Sequence, residues 1–169
     1  LWVFNLKNSM LTQRTSVGVP SISKVPLGRY NRPEVEIGSY VWGGPTYAWS
    51  PDSRTIAVNY VDRRNMRKVP FPHYLGKETV ANNVRRGYPG DPNEFRTIGF
   101  FSVESGDLNL LDIPSPTANR VAGFSWSQSG KLLLDQESDT ATDRWLYTVD
   151  PADGRLKEIW HDHRDTRIY

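Results

Sequence analysis

Apolar and polar positions alternate along the chain over short stretches and do not fall on a helical face. No apolar stripe at positions i, i+3, i+4 and i+7 continues over three turns, so no helix is predicted. Short apolar and aromatic runs recur instead, bounded by Gly, Pro, Asp, Asn and Ser. The pattern therefore predicts an all-β protein with strands at Leu1–Leu6, Tyr47–Trp49, Thr55–Asp62, Thr97–Val103, Leu108–Ile113, Val121–Trp126, Lys131–Asp135, Trp145–Val149 and Leu156–Trp160.

Two of these strand pairs repeat one sequence unit. WSPDSRTIAV, from Trp49 to Val58, resembles WSQSGKLLLD, from Trp126 to Asp135. In both copies an aromatic residue ends one strand, a polar turn follows and an apolar strand begins, which predicts a tight hairpin. Because Trp49 and Trp126 occupy the same position in the repeat, packing between repeats is favoured for them over a ligand cage.

A second unit alternates with the first. FFSVESGDLNLLDI, residues 100–113, resembles LYTVDPADGRLKEI, residues 146–159, and the start of the chain is a fainter copy. Val103 and Val149 lie 46 residues apart, whereas Trp49 and Trp126 lie 77 apart. Since alternating units should share one period, the excess of 31 residues indicates an insertion, placed at 63–96. A period near 46 with four short strands is typical of a β-propeller blade.

The predicted fold is an incomplete β-propeller arc of about two and a half four-stranded antiparallel blades. Residues 1–13 would end one blade, residues 47–113 would form a blade that carries the insertion, and residues 121–160 would form the next. Residues 14–46 would connect the first two. Because a propeller ring needs at least four blades and an open arc exposes strand edges, we expect a fragment of a larger protein or copies that assemble as a homo-oligomer.

Composition excludes several classes of function. Lys and Arg exceed Asp and Glu by only 2 in 169 residues, too little to indicate nucleic acid or an anionic membrane as the main partner. No apolar run approaches the roughly 18 residues of a membrane span, and no leader pattern opens the chain. The absence of Cys excludes disulfides, thiol catalysis and Cys-based zinc sites, but it leaves the compartment open.

The predicted insertion concentrates positive charge. Residues 63–88 carry a net charge of +6, and the rest of the chain sums to −4. This segment could bind an anion or an acidic partner, but a solvated loop is favoured because no RNA-binding motif accompanies it. Interleaved aromatic residues could stack on single-stranded nucleic acid or fix the loop to the propeller. The residues concerned are Arg63, Arg64, Arg67, Lys68, Lys77, Arg85 and Arg86 against Glu78, with Phe71, His73, Tyr74 and Tyr88 between them.

His161 and His163 form an H-x-H pair, followed by Asp165. On a strand, residues two apart share one face, as a pair of metal ligands must. No third strong ligand is identifiable, so a polar strand end is the favoured interpretation and no metal site is predicted.

No catalytic constellation is identifiable. The segment around Ser125 falls short of a G-x-S-x-G motif, and the His residues show no triad spacing to a Ser and an Asp. Gly43-Gly44-Pro45 lacks the spacing of a phosphate loop. We therefore assign no catalytic, cofactor-binding or metal residue and expect no cofactor. The candidate carboxylates are Glu34 with Glu36, which could share a strand face, Asp150 with Asp153, which are typical of a turn, and Asp135, Glu137 and Asp139.

Residues Trp49 to Leu108 resemble a known family. WSPDSRTIAVNYVDRRNMRKVP, residues 49–70, followed by GYPGDPNEFRTIGFFSVESGDL, residues 87–108, is similar to the N-terminal β-propeller of dipeptidyl peptidase IV-type serine peptidases, members of the prolyl oligopeptidase family. The matching elements are the WSPDS hairpin, Asp62, Val69-Pro70, the loop from Tyr88 to Asn93 and the strand that follows. RWLYTVDPADGRLKEI, residues 144–159, resembles that family's next blade.

The resemblance implies a larger parent protein. Family members carry a propeller followed by an α/β-hydrolase domain that holds a Ser-Asp-His triad, and those that cleave dipeptides hold the substrate amine with a Glu-Glu pair. The sequence contains no Glu-Glu, so the resemblance assigns no substrate-binding residue here. Implied partners are a peptide substrate and a downstream hydrolase domain, and a periplasmic or extracellular location is slightly favoured.

Two function hypotheses follow. In the first, the chain is a non-catalytic propeller segment of a dipeptidyl peptidase IV-like serine peptidase that gates a peptide-substrate site or contributes loops to it. The alternative is a TolB-like or WD40-like propeller that binds proteins. Metal-dependent activity at His161 and His163 ranks below both.

Overall fold

The computed structural model describes residues 1–15, 34–38, 46–113 and 118–166, and all their helix or strand structure is β. This confirms the predicted all-β class. The strands are β1 (Trp2–Asn5), β2 (Met10–Gln13), β3 (Val35–Ile37), β4 (Tyr47–Trp49), β5 (Thr55–Asp62), β6 (Lys68–His73), β7 (Val80–Arg85), β8 (Phe95–Ser102), β9 (Leu108–Leu110), β10 (Ala118–Trp126), β11 (Leu132–Ser138), β12 (Asp143–Val149) and β13 (Leu156–His163).

The described residues divide into two compact units. The first unit comprises residues 1–15, 37–38, 46–60, 96–113 and 118–166, and the second comprises residues 34–36 and 61–95. The second unit thus contains most of the segment that the repeat arithmetic identifies as an insertion. Its strands β6 and β7 form a separate antiparallel hairpin.

Antiparallel sheets build the first unit. Strands β1 and β2 form a hairpin, and β10 to β13 form a four-stranded sheet in chain order. Between them in sequence lies a five-stranded sheet, in which β5, β8 and β9 are successive neighbours and β4 also pairs with β5. Its remaining strand, β3, belongs to the first unit only at Ile37. Four short antiparallel strands in chain order are typical of a propeller blade, so the predicted fold class is confirmed.

Strands β5 and β8 are buried at almost every position, which explains why apolar residues follow one another directly at Ile56, Ala57 and Val58 and at Phe100 and Phe101. One face of their sheet, through Ala57 and Phe100, packs with Leu134 and Trp145 of the four-stranded sheet. The opposite face, through Phe101 and its neighbours Ile56 and Val58, packs with Leu1 and Val3 near β1. A sheet covered on both faces needs apolar residues at successive positions, whereas β11 alternates between fully and partly buried residues.

The first repeat has the predicted hairpin geometry in both copies. Ser50 and Ser127 each follow the Trp, and each side-chain oxygen accepts the amide that closes its turn, at 2.9 Å from Thr55 and 3.1 Å from Lys131. Three residues after each Ser the backbone has positive φ, 60° at Ser53 and 79° at Gly130. The two copies therefore share a left-handed turn position that sequence similarity alone does not reveal.

The second repeat also recurs, but with a different register. The amide of Gly106 donates to the Ser102 carbonyl at 3.0 Å, and the amide of Gly154 donates to the Asp150 carbonyl at 2.8 Å. These bonds align Ser102 with Asp150, a spacing of 48 residues instead of the 46 of the sequence alignment. The excess assigned to the insertion is therefore two residues shorter.

Strand ends and the insertion differ most from the sequence-based expectation. Strand β11 continues to Ser138, three residues past the predicted end, because Gln136 and Ser138 point inward with Leu134. Strands β3, β6 and β7 were absent from the predicted runs. Pro70 and Pro72 disrupt the strand pattern of β6, yet a two-stranded hairpin tolerates Pro where the missing amide would face its outer edge.

Candidate functional site

The second unit is the candidate site, because long excursions from a β scaffold often carry function. Strand β6 pairs with β7 from Lys68↔Arg85 to His73↔Val80. Residues 74–79 form the tip between them, where Tyr74 is 73% and Leu75 93% exposed. The unit is thus a folded hairpin with an apolar tip, and it replaces the irregular loop that the sequence predicted.

Arg63 is the buried centre of this unit. Its side chain is 4% exposed, and its Nη1 donates to Glu36 Oε2 while its Nε donates to Glu94 Oε2, both at 2.6 Å. The Arg63 amide also donates to the Glu34 carbonyl at 2.7 Å. Charge-assisted bonds of this kind are strong, so Arg63 ties β3 to both ends of the 63–94 segment.

Glu34 joins the cluster through other cations. Arg85 donates to Glu34 Oε1 at 2.6 Å and to the Met66 carbonyl at 2.7 Å, and the Lys68 ammonium lies 3.7 Å from the same carboxylate. The hydrogen bond from Arg85 lowers the pKa of Glu34 below its ordinary value. Glu34 and Glu36 therefore bind separate Arg side chains, although the sequence allowed them to form one carboxylate pair.

Two exposed ion pairs and two ring contacts occupy other basic residues. Arg64 pairs with Asp62, and the Arg64 hydrogen bond lowers the pKa of that carboxyl. Arg67 pairs with Asp91 at 2.9 Å and lies over the Tyr88 ring. Arg86 lies over the Phe71 ring at 5.8 Å. Two of the interleaved aromatic residues therefore contact Arg side chains within the unit.

Carboxylates of the second unit neutralise most of the positive charge that suggested an anion-binding loop. The net charge of +6 belongs to residues 63–88 alone. When Glu34, Glu36, Asp62, Asp91 and Glu94 are counted with them, the described residues of the second unit sum to +1. At least five of the seven basic side chains form ion pairs with these carboxylates. The basic side chains of the second unit therefore form ion pairs mainly with carboxylates of the same unit.

His161 and His163 meet a carboxylate that sequence reasoning missed. His163 Nδ1 lies 2.7 Å and His161 Nε2 3.1 Å from Asp143 Oδ1, and the His161 ring stacks on Trp145. Asp143 is paired with His163 across the β12–β13 ladder, so only the strand register brings it there. No cluster of three or more His, Asp or Glu suited to a metal ion occurs in the part of the chain that the structure describes.

The other candidate polar residues have local structural roles. Asp150 and Asp153 accept backbone amides two residues ahead, as turn residues do. Asp135 forms a 2.6 Å ion pair with Arg144. The hydrogen bond to the Asp135 carboxylate raises the pKa of the Arg144 guanidinium. Ser125 is an exposed residue of β10 opposite Leu133. Gly43-Gly44-Pro45 lies outside the described residues.

The repeated Trp residues differ in environment. Trp126 packs at the edge of the main core beside Phe100, and its Nε1 donates to the Ala48 carbonyl on β4 at 2.9 Å. Trp49 is 43% exposed. Trp126 thus bonds the four-stranded sheet to the five-stranded sheet, as expected for a residue that packs between repeats.

None of the described residues lies in a helix with the length and apolarity needed to cross a membrane.

The chain is similar to a known protein family and to solved structures of larger proteins. A family described as the dipeptidyl peptidase IV (DPP IV) N-terminal region matches residues 44–167. Dipeptidyl peptidase 4 of Porphyromonas gingivalis is similar in structure, with a TM-score of 0.75 and 15% identity over 98% of this chain and 23% of that chain. A protein assigned as a dipeptidyl aminopeptidase IV from Bacteroides ovatus is also similar, with a TM-score of 0.69 and 15% identity. This match covers 99% of this chain and 27% of that chain.

At this identity the two structures show a shared fold, and the chain spans about a quarter of the length of each. No curated protein sequence matches the chain.

Proposed function

The chain belongs to the dipeptidyl peptidase IV N-terminal region family, and on this basis we propose that it is the non-catalytic propeller segment of a larger serine dipeptidyl peptidase. The observation that carries the proposal is the family match over residues 44–167. Hydrolysis would then take place on residues outside these 169, in an α/β-hydrolase domain. The chain itself would bind and orient without forming or breaking a bond.

The second unit is the part proposed to reach the peptide-substrate site. Its ion pairs satisfy most of its charges internally, which leaves the apolar tip at Tyr74 and Leu75 available to contact a substrate or to narrow its entrance. Arg63 supports this role, because a loop anchored by buried charge-assisted bonds holds its tip in place. A loop that contacts a substrate must be held in a fixed position if it is to orient that substrate.

The first experiment tests the activity itself. The full-length protein that carries this segment is expected to cleave X-Pro or X-Ala dipeptidyl chromogenic substrates, and a serine-directed phosphonate should abolish the activity. The segment alone should be inactive. A folded full-length protein that cleaves neither substrate would refute the proposal, and a reading frame without a G-x-S-x-G region would favour the TolB-like or WD40-like binding module.

The second experiment tests the role of the tip. Tyr74→Ser and Leu75→Ser in the full-length protein should raise KM for peptide substrates while the folded state is kept, because both side chains are exposed. Leu6→Ser is the matched control, since Leu6 is also highly exposed, at 87%, but lies in the turn between β1 and β2. Equal kinetics for all three variants would exclude the tip from the substrate site.

A further inference from the structure

A cavity of about 260 Å³ lies within the first unit, between the turns of the repeated hairpins. The β4–β5 turn contributes Pro51, Asp52 and Thr55, and the β10–β11 turn contributes Trp126 and Gln128. Pro151, from the β12–β13 turn, closes the apolar side. No role assigned above uses this cavity.

The polar side of the cavity offers mostly acceptors. Asp52 Oδ1 accepts the Ser50 hydroxyl at 2.6 Å and the Arg54 amide at 3.1 Å, so neither of these two hydrogen bonds occupies Asp52 Oδ2. The Ser50 hydrogen bond, with that of the Arg54 amide, lowers the pKa of Asp52, so the carboxylate is ionised at neutral pH. Thr55 and Gln128 also line the cavity, and the side chain of each carries an oxygen that can accept a hydrogen bond.

The apolar side is fixed in place. The hydrogen bond from Trp126 Nε1 to the Ala48 carbonyl sets the orientation of the indole, and the rings of Pro51 and Pro151 complete the wall. An aromatic ring beside a carboxylate suits a cation with an apolar stem, because the ring attracts the charge and covers the methylene groups. None of the residues that line the cavity is Lys or Arg.

We propose that this cavity binds a primary ammonium or guanidinium group on a short aliphatic stem, with the cation at Asp52 and the stem against Trp126. The three protons of an ammonium match three oxygen acceptors, on Asp52, Thr55 and Gln128. A neutral polyol would gain no charge attraction from the Asp52 carboxylate. The volume lies below the roughly 300–1,000 Å³ of drug-sized sites, so it suits a single side chain or a small amine.

The two repeat copies show why the site is not a general property of the turn. Asp52 and Ser129 both lie two residues after the turn Ser, and Pro51 and Gln128 both lie one residue after it. The first copy therefore supplies the carboxylate and an apolar ring, whereas the second supplies the amide. The chemistry arises only because two different copies face each other across the cavity.

Binding is tested on the full-length protein by calorimetry and ligand-observed NMR. n-Butylammonium and n-butylguanidinium should bind with Kd of about 1–10 mM, and n-butanol and glucose should bind at least about fivefold more weakly. Agmatine and Nα-acetyl-lysine amide distinguish the source of the cation. Tighter binding of agmatine indicates a free amine, tighter binding of the lysine derivative indicates a protein side chain, and either result supports the proposal.

Asp52→Asn is the decisive variant. Its side-chain carbonyl can still accept the Ser50 and Arg54 hydrogen bonds, so the hairpin is retained, while Oδ2 becomes an amide donor without charge. We expect about 3- to 10-fold weaker binding of both cations. Asp107→Asn, in the turn between β8 and β9, is the control and should leave affinity unchanged.

Three results would overturn the proposal. These are binding of butanol or glucose as tight as that of butylammonium, unchanged affinity in Asp52→Asn, and the absence of saturable cation binding. If Asp52→Asn melts at a lower temperature than the parent, Gln128→Leu provides the second variant, because Gln128 is exposed and its loss removes one acceptor. Unchanged cation affinity in a folded Gln128→Leu would then count against the proposal.

Discussion

Gln136 is fully buried, and its amide has no hydrogen-bond partner among the residues that the structure describes. Thr97 shows the usual alternative, since this equally buried side chain donates to the Leu111 carbonyl at 2.6 Å. A buried polar group without a partner loses its water and gains nothing in return. The Gln136 amide is therefore expected to destabilise the β10–β13 sheet.

Gln136→Met should raise the free energy of unfolding by about 1–3 kcal/mol, because it keeps a similar side-chain volume and removes the buried amide. The measurement is urea-induced unfolding. Gln128→Met, at an exposed position, should change the value by less than about 0.5 kcal/mol. A less stable Gln136→Met variant would mean that the amide has a partner, such as an internal water.

Asp143 gives the molecule an acid-sensitive contact. Hydrogen bonds from His163 and His161 lower the pKa of Asp143 below its ordinary value of 3.8. A carboxyl with a lowered pKa in the folded state stabilises that state above its unfolded pKa, and the contribution is lost as pH falls through the folded value. In Asp143→Asn, the melting temperature should therefore fall less between about pH 5 and pH 2 than in the parent. Asp112→Asn, at an exposed site, is the control in thermal melts, and a parent-like acid limb in Asp143→Asn would contradict the prediction.

At the scale of elements, the second unit depends on charge more than on apolar packing. Its strands β6 and β7 bury only Val69 and Val84 among the described residues, at 9% and 7% exposure. A two-stranded hairpin is marginally stable by itself. Arg63, held by Glu36 and Glu94, supplies bonds that the small core cannot.

Arg63→Met should therefore destabilise the second unit by about 3–5 kcal/mol, because removal of one member of a buried ion pair leaves uncompensated charge. Amide hydrogen exchange of β6 and β7 measures the effect, which should exceed that in the rest of the chain. Arg64→Met is the matched control. Arg64 is 61% exposed and pairs with nearby Asp62, so its loss should change stability by at most about 1 kcal/mol. Equal exchange in both variants would show that Arg63 does not anchor the hairpin.

At the scale of the whole molecule, sequence repeats predicted the fold better than they predicted the site. Strands β4 and β5 match the expected bounds, because each repeat contains its own turn and strand signals. The ion pairs of Arg63 with Glu36 and Glu94 could not be predicted from the sequence. The two carboxylates lie 27 and 31 residues from Arg63, and no local sequence pattern joins them. Asp143 was missed for a similar reason, because only the β12–β13 register places it beside His163.

Trp126 and Trp49 occupy the same position in the repeat, but Trp126 should contribute more to the free energy of unfolding than the more exposed Trp49. Trp126→Phe keeps an aromatic ring but removes the hydrogen bond to the Ala48 carbonyl, which joins two sheets 78 residues apart in sequence. We expect a loss of about 0.5–1.5 kcal/mol in urea-induced unfolding. Trp49→Phe is the control, since Trp49 is 43% exposed and should lose less than about 0.5 kcal/mol. Equal losses would mean that ring packing, and not the inter-sheet hydrogen bond, gives the repeated Trp its role, because both variants retain the ring and only one removes that bond.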